Sequence, residues 1–394
     1  MRVAFVTFEF PPRVIGGAGI YAGELTSALA KNGHEIVVFT PTPPRQGLEI
    51  PGPNNVEVHT LECGAQGGLR TIQFWTRLPK VLGMVAARRR FDVVHVNSLS
   101  YWYLTNRRLG CAPQIVTIHH LVRDAAARTA VSTLARLLDL GGENGLILPL
   151  IERKLIDFVD HIIADSEYTR AKIIETYAVN PAKITTIRFG LRWNESRRET
   201  NEGAGLKGQI GLPEKPMVLF VGRVDAPRKG LPFLLSAFKK VLETIDATLL
   251  IVGSGNTSEA EGLAKRLGLS DNVMFAGAVD DPILRKCYAA CDVFACPSTL
   301  EGFGLTVLEA ISEGKPVVAT RVGAIPEIVP LAQAWSLTEP GNVGEFADAL
   351  CYHLLIAQSP AKSAESTDWQ MPESLQWPYA AKAVESVYAK ISSR

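Results

Sequence analysis

Two glutamates eight positions apart, Glu301 and Glu309, bracket the stretch EGFGLTVLEA (301–310), with two glycines and little other polarity between them. Gly302 and Gly304 disfavour a helix at its start, so the first carboxylate belongs on a loop and the second inside the helix that follows. Backbone amides near Gly304, Leu305 and Thr306 then point out of a helix N-terminus, where the dipole and the unsatisfied N–H groups attract phosphate. In VGRVDAPRKG (221–230), Arg223 stands just past a strand and Lys229 six residues on, with Gly222 and Gly230 permitting close backbone approach. A planar arginine fork and a lysine point charge suit a diphosphate. Taken alone, the two cations could equally be solvated loop residues. Beyond such phosphates Glu301 would reach a polyhydroxylated group, and Glu309 would accept from a ribose.

The N-terminal half offers a second loop, EFPPRVIGGAGIYA (9–22), stiffened by proline and then glycine-rich where it enters a helix. Amides of Gly16, Gly17 and Gly19 there suit an anion. GAGIYA fits the dinucleotide fingerprint only formally: eight residues separate it from the strand, and the second strand ends in VVFTP without a ribose-binding acid. A simple turn is the plain alternative. VTIHH (116–120) ends a further apolar run on His119 and His120, each as readily structural as catalytic by itself.

The elements that must position these residues follow from periodicity. RVAFVTF, EIVVFT, VEVHTL, DVVHVN, QIVTIH, HIIAD and ITTIR are near-continuous apolar runs, as expected for parallel strands covered on both faces. GIYAGELTSALAKNG (19–33) has the three- and four-residue apolar spacing of a helix, closed by Gly33. Residues 193–213 lose that periodicity and read as a linker. The pattern restarts with MVLFVGR, TLLIVGSG, NVMFAGAV, DVFACPS and PVVAT, separated by helices such as 231–245. The expectation is α/β: two Rossmann-like doubly wound domains, 1–192 and 214–370, facing across a cleft, with a C-terminal amphipathic helix in 371–394 that could pack back on the first.

Composition narrows the classes. A chain of 394 residues with 47% hydrophobic and 21% charged residues is an ordinary folded protein of two domains. Its 41 basic and 40 acidic residues give a formal net charge of +1, which argues against a nucleic-acid partner. The six cysteines form no C-x-x-C pair, so neither zinc nor a disulfide framework is indicated. No apolar run is long enough to span a bilayer, and a cytoplasmic location is expected, with contact at the inner membrane surface left open. The reason is segment 70–90, which carries Arg70, Arg77, Lys80, Arg88, Arg89 and Arg90 interleaved with Phe74, Trp75, Leu78 and Val81. That mixture suits an anionic lipid surface as well as an unremarkable solvated helix.

GGAG, TIH, GRVDAPRKG and EGFGLTVLEAISEGKPVVAT, in this order over nearly the whole chain, resemble the retaining family 4 glycosyltransferases of the GT-B fold. The phosphate-clamp segment is most similar to that of phosphatidylinositol mannosyltransferases. The resemblance implies a metal-independent hexosyl transfer from a nucleoside-diphosphate sugar, as co-substrate rather than cofactor, to a hydroxyl acceptor: a sugar, small alcohol or lipid-linked group. It assigns Gly16 and Gly17 to the donor phosphate and His119 to the transferred sugar. Arg223 and Lys229 would hold the diphosphate, Glu301 the sugar hydroxyls and Glu309 the ribose. One departure stands out: IRFGL (187–191) has Phe189 where the family often has Asn. The rival readings are a GT-B sugar-nucleotide epimerase and a non-catalytic nucleotide-sugar-binding protein.

Overall fold

The computed structural model describes residues 1–12, 14, 16–41, 55–64, 67–97, 112–121, 148–192, 208, 211, 213–332, 334–358 and 372–393. The chain divides into two compact units, Met1–Arg192 with Pro372–Arg394, and Trp193–Met371. Most of the expected linker, 193–213, lies outside the described residues.

Unit 1 contains β1 (Arg2–Thr7), α1 (Gly17–Lys31), β2 (Glu35–Pro41), β3 (Val56–Leu61), α2 (Gly67–Arg88), β4 (Val93–Asn97) and β5 (Gln114–Ile118). It continues with α3 (Leu148–Phe158), β6 (His161–Ala164), α4 (Glu167–Tyr177) and β7 (Ile184–Thr186). The strands pair in parallel in the order β3-β2-β1-β4-β5-β6-β7. The order reverses between β1 and β4, and the loops leaving their carboxyl ends flank that switch point, where open α/β sheets bind ligands. Register aligns Thr7 with Asn97 and Asn97 with Thr117, so three polar side chains sit level at that edge.

Unit 2 contains β8 (Met217–Val221), α5 (Leu231–Val241), β9 (Thr248–Val252), α6 (Ser258–Leu267), β10 (Val273–Gly277), α7 (Asp281–Ala290) and β11 (Val293–Cys296). There follow α8 (Leu305–Ser312), β12 (Val317–Thr320), α9 (Ile325–Ile328), β13 (Trp335–Thr338) and α10 (Val343–Gln358). Its parallel order is β10-β9-β8-β11-β12-β13, with the switch between β8 and β11. Arg223–Lys229 and Glu301 lie on the two loops that leave those strands.

The central strands are buried on both faces, but the expectation of two-sided cover fails at the edges. β3 buries only Leu61 and β10 only Val273, their other residues being partly or fully exposed, because an edge strand has a neighbour on one side only. A second correction concerns α2. Phe74, Trp75, Leu78 and Leu82 are core residues of unit 1, and Val81 packs against them, so the apolar side of the basic segment faces inward. Burying Phe74 or Leu78 stabilises by roughly 1.5–3 kcal/mol each; the residues that α2 exposes include Arg77, Lys80, Met84 and Arg88.

The last helix, α11 (Trp377–Ser392), closes unit 1 against α1, burying Trp377, Ala380, Ala381, Val384, Val387, Tyr388 and Ile391. Gly190 makes that closure possible: a Cβ there would lie 2.3 Å from the Trp377 nitrogen. The Leu191 amide also donates to the Leu375 carbonyl at 2.8 Å.

Candidate active site

In unit 2 the loops after β8 and β11 are tied together before any side chain is considered. The Thr299 amide donates to the Arg228 carbonyl at 2.7 Å. Residues Pro227–Lys229 form one 3-10 turn that stops at Gly230, whose φ of +69° favours glycine and whose Cβ would lie 2.0 Å from the Pro297 carbonyl oxygen. This close approach sets Lys229 against Glu301, and Lys229 Nζ donates to Glu301 Oε1 at 2.6 Å. Ser298 Oγ donates to the same oxygen at 2.7 Å, and Arg228 Nη1 stands 3.9 Å from Oε2. Burial would raise the Glu301 carboxyl, but the charges of Lys229 and Arg228, with the bonds from Lys229 and Ser298, outweigh it and hold the group below its ordinary range. Glu301 is therefore an anion with 7% side-chain exposure, set in a cationic frame.

Arg223 is exposed at the mouth of its loop and donates through Nε to Asp225 Oδ1 at 3.2 Å. Gly222 donates its amide to the Val252 carbonyl at 3.0 Å. A Cβ there would meet side-chain atoms of Phe220 and Lys229 at 3.4–3.6 Å, ordinary contact distances, so crowding by the protein does not demand this glycine.

Gly304, at φ +94°, caps α8, and the Val307 and Leu308 amides bond back to its carbonyl. The amides of Leu305 and Thr306 stand ahead of them at the helix N-terminus. Glu309 is the fifth residue of α8, one turn from that end. It is 3% exposed, and its Oε2 accepts from the Tyr288 hydroxyl at 2.8 Å. Burial and the Glu309 charge push Tyr288 well above its ordinary range, so it remains a donor.

In unit 1, His119 stands one residue past β5, 9% exposed. Asn97 donates its amide nitrogen to Thr7 Oγ1 at 3.0 Å and to the Ala18 carbonyl at 2.9 Å. Its oxygen therefore accepts from His119 Nε2 at 2.7 Å, which assigns the proton to that nitrogen. Burial first, then repulsion from His120 and His95, lowers His119 to about 3. Asp165 Oδ2 is 3.9 Å from Nδ1, but with a neutral ring this is a polar contact rather than an ion pair. Nδ1 itself is buried and has no hydrogen-bond partner.

At the glycine-rich loop the protein supplies an anion of its own. The Gly16 amide donates to Glu9 Oε2 at 2.9 Å, so a carboxylate of the protein already stands where a phosphate was expected. Gly17 begins α1 rather than lying on the loop. Glu9, Arg228, Ser298, Tyr288, Asn97 and Asp165 escaped the sequence reading. Each lies within one to three residues of a strand end or acts on a residue already singled out, which is the signal that could have found them.

Two parallel-sheet α/β units, each with polar residues at the carboxyl edge of its own sheet, are the arrangement of the GT-B glycosyltransferases, which the comparisons with known proteins match. Models of that class match both: "Glycosyltransferase Family 4" over 15–191 and "Glycosyl transferases group 1" over 215–355. The chain is 30% identical over 338 residues to the D-inositol 3-phosphate glycosyltransferase of Segniliparus rotundus, covering 80% of this chain and 71% of that protein. Among solved structures, the sucrose-phosphate synthase of Thermosynechococcus elongatus matches with a TM-score of 0.75 at 22% identity, covering 100% of this chain and 97% of the other. Anabaena HepE in complex with UDP-glucose matches at 0.64 and 18%, covering 100% and 97%. The chain belongs to the family 4 glycosyltransferases and is an enzyme of glycosyl transfer. No helix among the described residues is long and apolar enough to cross a membrane.

Proposed function

We propose that the chain moves a hexosyl group from a nucleoside-diphosphate sugar to a hydroxyl acceptor with retention of anomeric configuration and without a metal ion. The observation that carries this reading is the part-buried Lys229–Glu301 pair at the unit 2 switch point, with Arg228 beside it and the α8 terminus following on the Glu301 loop. Glycosyl cleavage develops negative charge on the departing diphosphate. Arg223, Lys229 and the Leu305 and Thr306 amides are the donors that meet it, each fixed donor worth roughly 2.7–4 kcal/mol.

Lys229 is then shared between two anions. When it turns to the diphosphate, Arg228 and Ser298 keep Glu301 ionised and held for the sugar hydroxyls. Glu309, aimed by Tyr288, takes the ribose. In unit 1, neutral His119 meets the transferred sugar, and the donor phosphate reaches Gly16 by displacing the Glu9 carboxylate. The leaving phosphate assists deprotonation of the acceptor hydroxyl on the face it leaves. The Anabaena protein solved with UDP-glucose supports a nucleotide-sugar donor.

The test is a panel of UDP-glucose, GDP-mannose and ADP-glucose, scored by thermal stabilisation and then by nucleotide release with candidate acceptors. Stabilisation by one donor and acceptor-dependent release, unaffected by EDTA, with the product anomer matching the donor by NMR, is expected. Nucleotide release from donor alone would mean an epimerase, and stabilisation without turnover a silent binder. Loss of activity on chelation, restored by a divalent ion, would refute the metal-free reading. For the acceptor, sedimentation with anionic vesicles separates a lipid-linked from a soluble substrate.

A further inference from the structure

His119 is boxed by aromatic rings. Tyr21 meets it edge-on with centroids 5.2 Å apart, and Phe189 meets it edge-on at 5.2 Å as well. Phe189, the residue that departs from the family pattern, stacks on Trp377 at 6.2 Å with a 22° interplanar angle. Tyr21 also contacts Phe189 at 4.7 Å and Trp377 at 5.9 Å. Trp377 is the first residue of α11 and only 5% exposed.

A second, polar connection runs from the same helix. The Tyr388 hydroxyl bonds His95 Nδ1 at 2.6 Å, and His95 Nε2 bonds Thr117 Oγ1 at 2.7 Å. Thr117 Oγ1 in turn bonds the Tyr21 hydroxyl at 3.0 Å. Tyr21, whose ring lies against His119, is thus fixed at its hydroxyl by the polar chain and on its face by the aromatic cluster. Every member of the polar chain is buried, and burial holds His95 neutral. Neutral, fully paired groups in a dry interior lock one geometry.

We infer that Trp377 and Tyr388 of the C-terminal helix are positioning residues for His119, acting through Phe189 and Tyr21. This rests on the reading that His119 meets the transferred sugar. A phenylalanine at 189 has no hydrogen bond to offer a substrate; its role is to transmit the Trp377 face to the imidazole and to keep water from it. Removing the stack opens the ring to solvent and frees its tilt, and a misplacement near 1 Å at a reacting centre costs roughly 10²-fold in rate.

The experiment uses the full chain with 15N-labelled histidine, in parent, Trp377→Leu, Trp377→Phe and Tyr388→Phe forms, with His119→Gln to assign the resonance. In the parent, the His119 ring should stay a neutral Nε2–H tautomer well below the ordinary value, to about 3, because it is buried. In Trp377→Leu the pKa should climb toward the ordinary value of about 6.5 and the tautomer signature should mix, with Trp377→Phe restoring most of the parent behaviour. Tyr388→Phe keeps the helix shape and should give a smaller shift in the same direction. With whichever panel donor is turned over, kcat should fall about tenfold or more in Trp377→Leu with donor KM unchanged. A folded Trp377→Leu protein whose His119 titrates and turns over as the parent does overturns the inference; if that variant fails to fold, unchanged His119 titration in Tyr388→Phe overturns it. If His119→Gln itself keeps full kcat, the assigned role of His119 fails, while the resonance still decides whether the helix sets its environment.

Discussion

Exchanging Lys229 for methionine keeps the side-chain length and removes the charge, leaving Glu301 ionised at 7% side-chain exposure with only Arg228, 3.9 Å away, and Ser298. Removing one partner of a buried pair costs about 3–5 kcal/mol. The two remaining partners put Lys229→Met near the lower end, about 3 kcal/mol. Glu301→Gln leaves Lys229 with 14% side-chain exposure and a flexible stem that can carry its ammonium into water, so about 1 kcal/mol is expected. The double variant strands no anion and should lose about 1–2 kcal/mol, giving a coupling of roughly 2–3 kcal/mol. The assay is guanidinium denaturation of all four proteins, with amide hydrogen exchange in β11 and α8 reporting on unit 2. Additivity within about 0.5 kcal/mol would refute the picture of a strained, shared anion. The sign with pH is fixed too. Because the Glu301 carboxyl is held low in the folded state, its stabilisation is full above the unfolded value near 4.3 and is lost as pH falls through the folded value.

Arg223→Ala should lower kcat by about 10²–10³-fold with little change in thermal stability, since Arg223 is exposed and bonded only weakly to Asp225 at 3.2 Å; near-normal turnover would remove it from the diphosphate clamp. Tyr288→Phe should raise donor KM several-fold while sparing kcat, because it unfixes Glu309 rather than touching the reacting bond; a kcat loss at saturating donor would contradict the ribose assignment. Unit 1 should lose stability before unit 2 as pH falls. His95 and His119 are both held near 3 by burial, so the stability they contribute is full above about 6.5 and drains away between there and 3. Hydrogen exchange that loosens unit 2 first between pH 6.5 and 4.5 would reject this.

The two sheets were legible because parallel strands buried on both faces are written as uninterrupted runs such as VVHV and TLLIV, and the glycine and charge signals fell at their carboxyl ends. Glu301, Lys229 and Arg223 stood out in the sequence because charged residues and glycines gather at the ends of apolar runs there. The partners were not legible. Nothing in a linear string says that Thr299 bonds Arg228, so Arg228 looked like one more loop cation. Glu9 was hidden for the opposite reason: an acid before two prolines reads as solvent-facing until the loop folds it onto the Gly16 amide. The basic helix was ambiguous in the sequence, because Phe74, Trp75 and Leu78 suit a lipid surface as well as a core, and only the fold shows that they pack inward. Phe189 was visible as a departure and became interpretable only beside Trp377.

The passage of the chain out of unit 1 at Arg192 and back at Pro372 has a consequence for the order of events on the ribosome. His95 meets Tyr388 at a sequence separation of 293, and Asn32 bonds Glu385 at one of 353. Those contacts do not exist until the last helix emerges, whereas unit 2 is complete once its own contiguous stretch has been made. At about 5–20 residues per second, the first-made unit waits tens of seconds with its α1 flank uncovered while the second-made unit can already fold. Synthesis order and completion order are thereby reversed, and the nascent N-terminal half is the part of the molecule most in need of protection from its neighbours.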